Sequence, residues 1–388
     1  MTRKVILVAV NGVTGRMGYR QHLVRSLLSI REQGGVPLAD GTALYPELVL
    51  VGRSEERLRR IAERHGLDRW TTSLDEVLAD PAVDVYFDAQ VTSAREASVR
   101  QAIEAGKHVY TEKPTAGSLE GALRLARAAD AAGITHGVVH DKLYLPGVIK
   151  LRQLAREEFF GRVLSVRLEF GYWVFEGDGI PAQRPSWNYR AEQGGGIVLD
   201  MFPHWQYLLE DLFGPIAALY ARRVTHVPRR WDESGAPYEV TADDAAYAVL
   251  EFESGAFASV NSSWAVRVNR RELLELQVDG TSGSAVAGLR HCAVQHRVTT
   301  PMPVWNPDLP DPIDYPGQWT EMPDTMAFGN GFKVQWEQFL GAAAQRRPVP
   351  WDLAQGARGV QLAGLALQSS AEGRRLDVPR LDVPRLVM

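Results

Sequence analysis

Over its first 140 residues the chain alternates short, unbroken apolar runs with stretches in which apolar positions recur every three or four residues. Val5-Ile6-Leu7-Val8-Ala9-Val10 is the first run, and a segment apolar at every position predicts a strand buried on both faces of a parallel sheet. Leu48 to Val51 is a second such run, and Val83 to Phe87, His108 to Thr111 and Ile134 to Val139 are further predicted strands. Helical patterns lie between them. One runs from Glu55 to His65 and is ended by Gly66; another opens on the capping box Ser73-Leu74-Asp75-Glu76 and stops at Asp80-Pro81. Two more cover 94–105, ended by Gly106, and Leu119 to Ala132, closed by Gly133, since glycine adopts the left-handed conformation cheaply. Alternating strands and helices imply a doubly wound α/β sheet.

After residue 140 the period changes. Leu164, Val166, Leu168 and Phe170 alternate with Ser165, Arg167 and Glu169, and Leu274, Leu276 and Val278 alternate with Glu275, Gln277 and Asp279. Segments 246–253 and 256–262 flank Ser254-Gly255 as a hairpin. Period-two alternation predicts a sheet with one face buried and the other facing water or another subunit. Residues 301–323 hold seven of the 22 prolines and read as a long ordered loop. Helical patterns return at about 331–345 and 352–372, and the tail repeats Leu-Asp-Val-Pro-Arg at 376–380 and 381–385, a frayed end. The change of period divides the 388 residues into two domains, 1–140 and 141–388.

Composition narrows the function. The 43 basic and 47 acidic residues give a net charge of −4 with no strongly basic half, which argues against a nucleic-acid partner. The basic stretch Arg57-Leu58-Arg59-Arg60 lies within a helical pattern and reads as a solvated face. The single cysteine, Cys292, rules out an internal disulfide and a multi-cysteine zinc site, and no metal is expected. Only four residues precede the first apolar run, too few for a secretory signal, and no window approaches 18 uncharged apolar residues. A soluble, cytoplasmic protein without a membrane partner is the expectation.

Directly after the first strand stands Asn11-Gly12-Val13-Thr14-Gly15-Arg16-Met17-Gly18, which leads into a helix. Glycines there allow a tight turn and let a pyrophosphate approach the helix N-terminus. The spacing Gly-x-x-Gly-x-x-Gly is one residue longer than the usual dinucleotide fingerprint. A carboxylate at the end of the second strand would bind the ribose of NAD; here the strand ends in Gly52-Arg53-Ser54. Arg53 and Ser54 suit a 2′-phosphate, which favours NADP and leaves NAD as the alternative. Glu112-Lys113-Pro114 follows the strand at 108–111, and proline holds Lys113 extended at the carboxyl end of the sheet, where ligands sit in open α/β folds. Farther on, Gly194-Gly195-Gly196 leads into Asp200 and His204, four apart and so on one helical face. Pro203 between them requires the first turn of that helix, and Asp200 reads equally well as its N-cap.

Four stretches, in order, resemble the Gfo/Idh/MocA family of sugar and polyol oxidoreductases. They are the glycine turn, Ala105-Gly106-Lys107-His108-Val109-Tyr110-Thr111-Glu112-Lys113-Pro114, Trp187-Asn188-Tyr189-Arg190, and the triple-glycine segment ending in Asp200 and His204. The resemblance implies a Rossmann domain followed by an α/β domain with a large open, mostly antiparallel sheet, the latter assembling homodimers or homotetramers. It also implies that Lys113, Asp200 and His204 meet beside the nicotinamide. Two departures stand out. The glycine turn looks more like that of dihydrodipicolinate reductases, and the family's Pro-Asn-x-x-His stretch near the cofactor is replaced by Val91-Thr92-Ser93-Ala94-Arg95.

Hydride transfer from an alcohol carbon needs a base near neutral pKa and a positive group beside the oxygen. His204 suits the first role and Lys113 the second, with the reverse assignment left open; Asp200 hydrogen-bonds the substrate or orients the pair. Sugar contacts are expected from Trp187, Tyr189, Arg190, His140 and Lys142, with Asn188, Trp173 and Phe175 nearby in sequence. The rival readings are a reductase of another substrate class, such as a cyclic imine, and a non-catalytic dinucleotide sensor. Neither requires Lys113, Asp200 and His204 together.

Overall fold

The unbroken apolar runs form the middle of a parallel sheet in the computed structural model, which describes residues 2–182, 184–302, 306, 308 and 313–381. The strands are β1 (Arg3–Asn11), β2 (Val36–Pro37), β3 (Ala43–Val51), β4 (Trp70–Thr71), β5 (Val85–Asp88), β6 (His108–Thr111) and β7 (His136–Val138). Their order is β2-β3-β1-β5-β6-β7, with β4 beside β3, and every pairing but β2–β3 is parallel. Val8, Ala9 and Val10 at its centre are completely buried, as residues covered on both faces should be. β3 begins five residues before the predicted run, because Tyr45, Pro46 and Glu47 interrupt the apolar pattern without breaking the pairing.

The predicted helix stops recur in place. Glu55–His65 ends on Gly66 at φ 59°, and Gly106 and Gly133 take φ 70° and 63°. Ser73 accepts from the Glu76 N–H at 3.2 Å and so caps Leu74–Ala79. Glu76 turns to the Thr71 hydroxyl instead of completing the box. One feature was not predicted: the helix that follows the glycine turn is a π-helix over Gly18–Leu28.

Two compact units result. The first comprises the chain up to Tyr144 together with Gly329–Gln361, and the second comprises Leu145–Phe328 with Leu362–Pro379. The single boundary expected at 140 therefore corresponds only to the first crossing. Helix Gly331–Ala344 returns to the first unit because its Trp336 and Phe339 pack on Phe87 and Tyr110, with ring centroids 4.9 and 4.7 Å apart for Trp336–Phe87 and Tyr110–Phe339.

The second unit is built on β8 (Val163–Gly171), β9 (Ile216–Val224), β10 (Arg229–Trp231), β11 (Pro237–Glu239), β12 (Ala245–Phe252), β13 (Phe257–Ser263), β14 (Leu274–Gly280), β15 (Gly283–Gly288), β16 (Cys292–His296), β17 (Thr320–Glu321) and β18 (Leu376–Asp377). Among the described residues its large sheet runs β17-β16-β15-β14-β8-β13-β12-β9-β18, antiparallel except at β8–β13, while β10 and β11 form a separate hairpin. Val166, Leu168, Leu250, Val260 and Leu276 face the buried side; Arg167, Tyr247, Val249 and Phe257 face outward. The proline-rich loop is not wholly irregular: Thr320–Glu321 pairs with β16, while 303–305, 307 and 309–312 lie outside the described residues. Nor is the first tail repeat frayed, since Leu376 pairs with Leu219 and is buried; the second repeat beyond 381 lies outside the described residues. No described helix is long and apolar enough to cross a membrane.

Candidate active site

In the first unit the glycine turn is enforced by close approach. Gly12 sits at φ 81°, and a Cβ there would lie 2.6 Å from the Ala89 carbonyl carbon. A Cβ on Gly18 would lie 2.4 Å from the Gly12 carbonyl oxygen. The turn opens onto a cavity of about 410 Å³ lined by Thr14, Gly15, Arg16, Tyr19 and Arg20, with Arg57, Arg60, Ile61 and Arg64 from the neighbouring helix. Five guanidinium groups around one cavity suit a phosphate-bearing ligand. The stretch expected to be only a solvated face thus has two of its arginines on this cavity, while Arg59 points to Glu63 at 3.9 Å. Spacing carried the signal: Arg57, Arg60 and Arg64 are three and four apart, as Arg16 and Arg20 are four apart. Arg53 is exposed and outside that lining, and the Ser54 hydroxyl caps its helix by accepting from the Arg57 N–H at 3.4 Å. Val91 is exposed and Thr92 begins helix Thr92–Glu104.

Lys113 follows β6 as expected, half-buried, with a cis peptide bond to Pro114. Glu112 is buried, its Oε1 2.8 Å from His22 Nε2 and its Oε2 accepting the Lys113 backbone N–H at 3.1 Å. Burial alone would raise its carboxyl pKa, yet the His22 hydrogen bond, with the charges of Lys113 and Arg95, holds it below the ordinary value. His140, expected to touch sugar, is 4% exposed; burial pushes its pKa down to about 3, so at neutral pH it is an uncharged core residue. Its backbone N–H donates to Gln335 Oε1 at 2.9 Å. Lys142 lies 3.5 Å from Asp141.

In the second unit, helix Ile197–Phe213 starts after Gly196 at φ 117°, where a Cβ would come 2.9 Å from Asp243 Oδ1. Asp243 serves as a remote cap, accepting the Val198 N–H at 2.9 Å through its side chain. Asp200 is therefore not the N-cap: its own N–H already donates to the Gly196 carbonyl at 3.1 Å. Pro203 lies in the helix interior and not in its first turn, leaving the Leu199 carbonyl without the usual intrahelical donor. His204 is buried, with Nδ1 2.7 Å from the Tyr207 hydroxyl.

Arg184, which sequence reasoning missed, binds Asp200 Oδ2 and Asn188 Oδ1 through Nη1, both at 2.9 Å. Its guanidinium lies 4.2 Å from the Trp264 ring centroid and 5.4 Å from that of Trp173, itself strained at φ 71°. The Trp187–Arg190 motif divides. Trp187 is 45% exposed, and Arg190 stacks on Tyr238 at 4.3 Å. Tyr189, expected at the substrate, is 1% exposed beneath the Arg230 guanidinium at 4.1 Å, and burial pushes its pKa to about 12. It is a packing residue. Phe175 is exposed, with Arg267 over its ring at 4.4 Å.

Comparison with known proteins bears on both units. Residues 6–140 match the oxidoreductase family with an NAD-binding Rossmann fold, and residues 148–286 match the GFO/IDH/MocA C-terminal domain. The chain is 55% identical over 386 residues to the D-xylose dehydrogenase of Paenarthrobacter nicotinovorans, covering 98% of this chain and 100% of that one. It is 26% identical over 258 residues to the levoglucosan dehydrogenase of Pseudarthrobacter phenanthrenivorans, covering 63% and 65%. The fold is similar to that of apo levoglucosan dehydrogenase, with a TM-score of 0.81 at 22% identity over 98% of this chain and 100% of that chain. The same enzyme in complex with NADH and levoglucosan gives 0.79 at 22% identity over 97% and 100%.

Proposed function

The chain belongs to the GFO/IDH/MocA oxidoreductase family, and from that membership we propose that it oxidises D-xylose with NADP, using Lys113, Asp200 and His204. That it is a nicotinamide-dependent enzyme acting on a sugar CH–OH group follows from the family and from its relatives. The substrate rests on the 55% identity to a D-xylose dehydrogenase across nearly the whole chain. The cofactor preference rests on the cavity beside the glycine turn, lined by five arginines and no carboxylate, although Arg60 is ion-paired with Glu56 outside that lining. An arginine pair neutralises a 2′-phosphate, whereas a bare ribose gains nothing from it.

The bound nicotinamide supplies the hydride acceptor; the protein's work is on the oxygen and the proton. In the proposed assignment the Lys113 ammonium polarises the reacting hydroxyl and stabilises the charge that develops there. His204 takes the hydroxyl proton. This role requires the tautomer in which Nδ1–H donates to the Tyr207 hydroxyl, 2.7 Å away, which leaves the Nε2 lone pair to accept the proton while the same tyrosine holds the ring. Asp200, steered by Arg184, accepts hydrogen bonds from the sugar. Trp187 and Arg190 are the further sugar contacts of the second unit. The outward face of the large sheet, carrying Tyr220, Tyr247, Val249 and Phe257, pairs with another copy to give a homodimer or homotetramer.

A screen of aldoses and polyols, following reduced-cofactor absorbance with NAD and with NADP, tests substrate and cofactor together. The expected result is turnover of D-xylose with a higher kcat/KM for NADP. Turnover confined to a non-sugar substrate rejects the first assignment, and a wide preference for NAD rejects the second.

A further inference from the structure

Lys113 is gripped through its neighbours on both sides. On the N-terminal side, His22 is completely buried in the π-helix that leaves the glycine turn. The Trp336 indole N–H donates to His22 Nδ1 at 3.0 Å. An indole can only donate, so Nδ1 is the acceptor and Nε2 carries the proton. His22 therefore donates to Glu112 Oε1 at 2.8 Å, and Glu112 Oε2 takes the Lys113 backbone N–H at 3.1 Å. On the other side, the Pro114 carbonyl accepts from Arg95 Nη1. Arg95 is 3% exposed and is fixed in turn: its Nε donates to Asp88 Oδ1 at 3.2 Å and its Nη2 to the Gln90 carbonyl. Asp88 Oδ2 accepts from the Tyr86 hydroxyl and from Gln90 Nε2, both at 2.8 Å.

We propose that His22 and Arg95 are positioning residues for Lys113, holding it through Glu112 and Pro114; this rests on the reading of Lys113 as the group beside the reacting oxygen. A lysine has a long flexible stem, so a charge aimed at one oxygen needs its backbone fixed, and a misplacement of about 1 Å can cost roughly 10²-fold in rate. Fold stability alone does not call for this arrangement. Apolar residues of the same volume replace buried ion pairs at little or no cost, so charged groups clustered around one half-buried lysine point to placement. Arg95 also stands where the family pattern has histidine, so this chain anchors Pro114 with a longer, forked donor.

The test compares Lys113→Ala, His22→Leu, His22→Gln and Trp336→Phe on the sugar and cofactor that the screen identifies. Cofactor affinity is read separately by quenching of protein fluorescence. His22→Leu should lower kcat about tenfold or more, with KM for the sugar and cofactor affinity within about threefold, because only Lys113 loses its support. His22→Gln keeps a donor near the Nε2 position and should recover most of kcat. Trp336→Phe keeps the packing, frees the His22 tautomer and should lower kcat severalfold with little change in urea midpoint. This variant stands in if His22→Leu does not fold. Equal losses in His22→Leu and His22→Gln, or losses that track cofactor affinity, overturn the proposal. So does wild-type kcat in the His22 and Trp336 variants while Lys113→Ala loses about 100-fold. A near-normal Lys113→Ala rejects instead the reading of Lys113 on which it rests.

Discussion

His140 shows what one buried side chain does to the whole chain's response to acid. Its folded pKa is about 3 and its ordinary value is 6.5, so between those values the unfolded chain binds a proton that the folded chain refuses. Stability therefore rises with pH from about 3 to 6.5 and is complete above that, with a slope approaching roughly 1.4 kcal/mol per pH unit from this group. Urea titrations at pH 4.5 and 7 should show a smaller pH dependence for His140→Gln than for the wild type; equal dependence rejects the account. The cavity arginines carry a second prediction. Arg57→Ala and Arg16→Ala should each raise KM for NADP about tenfold and leave NAD within about twofold, since a charge-assisted phosphate contact contributes about 1.5–3 kcal/mol. If only Arg53→Ala has that effect, the phosphate binds at the strand end and not in the cavity. Lys113, Asp200 and His204 could be singled out in the sequence because each belongs to a local motif. Arg184, Asp243 and His22 were not, because their partners lie 16, 45 and 90 residues away.

At the scale of elements, the sequence was most readable where burial was most complete. Apolar runs located the parallel strands, alternation located β8 and β14, and the Ser254-Gly255 turn located the hairpin of β12 and β13, where Leu250 pairs with Ala258. The π-helix left no such trace, since its buried pairs His22–Ser26 and Leu23–Leu27 are four apart, a spacing that an α-helix shares. Pro203 misled for a related reason: its rule concerns an isolated helix, while this one is held by burial of almost every residue from Met201 to Leu209. The start of that helix depends on a distant carboxylate instead. Asp243→Ala should lower stability by about 1 kcal/mol or somewhat more, the usual cost of a lost cap, as measured by urea unfolding at pH 7. An unchanged midpoint would mean that Asp243 does not support the helix.

For the whole molecule, the outward sheet face gives the clearest expectation. Interfaces of this kind bury well over about 1,000 Å², so light scattering at micromolar concentration should report a dimer or tetramer. Tyr247→Lys combined with Val249→Lys should shift that species toward the monomer without lowering the urea midpoint of the fold, and a wild-type monomer rejects the assembly. The change of period at residue 140 predicted two domains but gave no sign of the return of 329–361 to the first compact unit, because an amphipathic helix does not announce which core it will join. That return matters on the ribosome. The first unit has no Trp336 or Phe339 to cover Phe87 and Tyr110 until the chain has grown roughly 190 residues beyond Tyr144, some 10–40 s at ordinary elongation rates. Through that interval the nascent Rossmann sheet carries an uncovered aromatic patch, the kind of surface that chaperones hold and that aggregates in their absence. A fragment ending at Tyr144, though it contains every strand of the parallel sheet, should come out of cells in inclusion bodies.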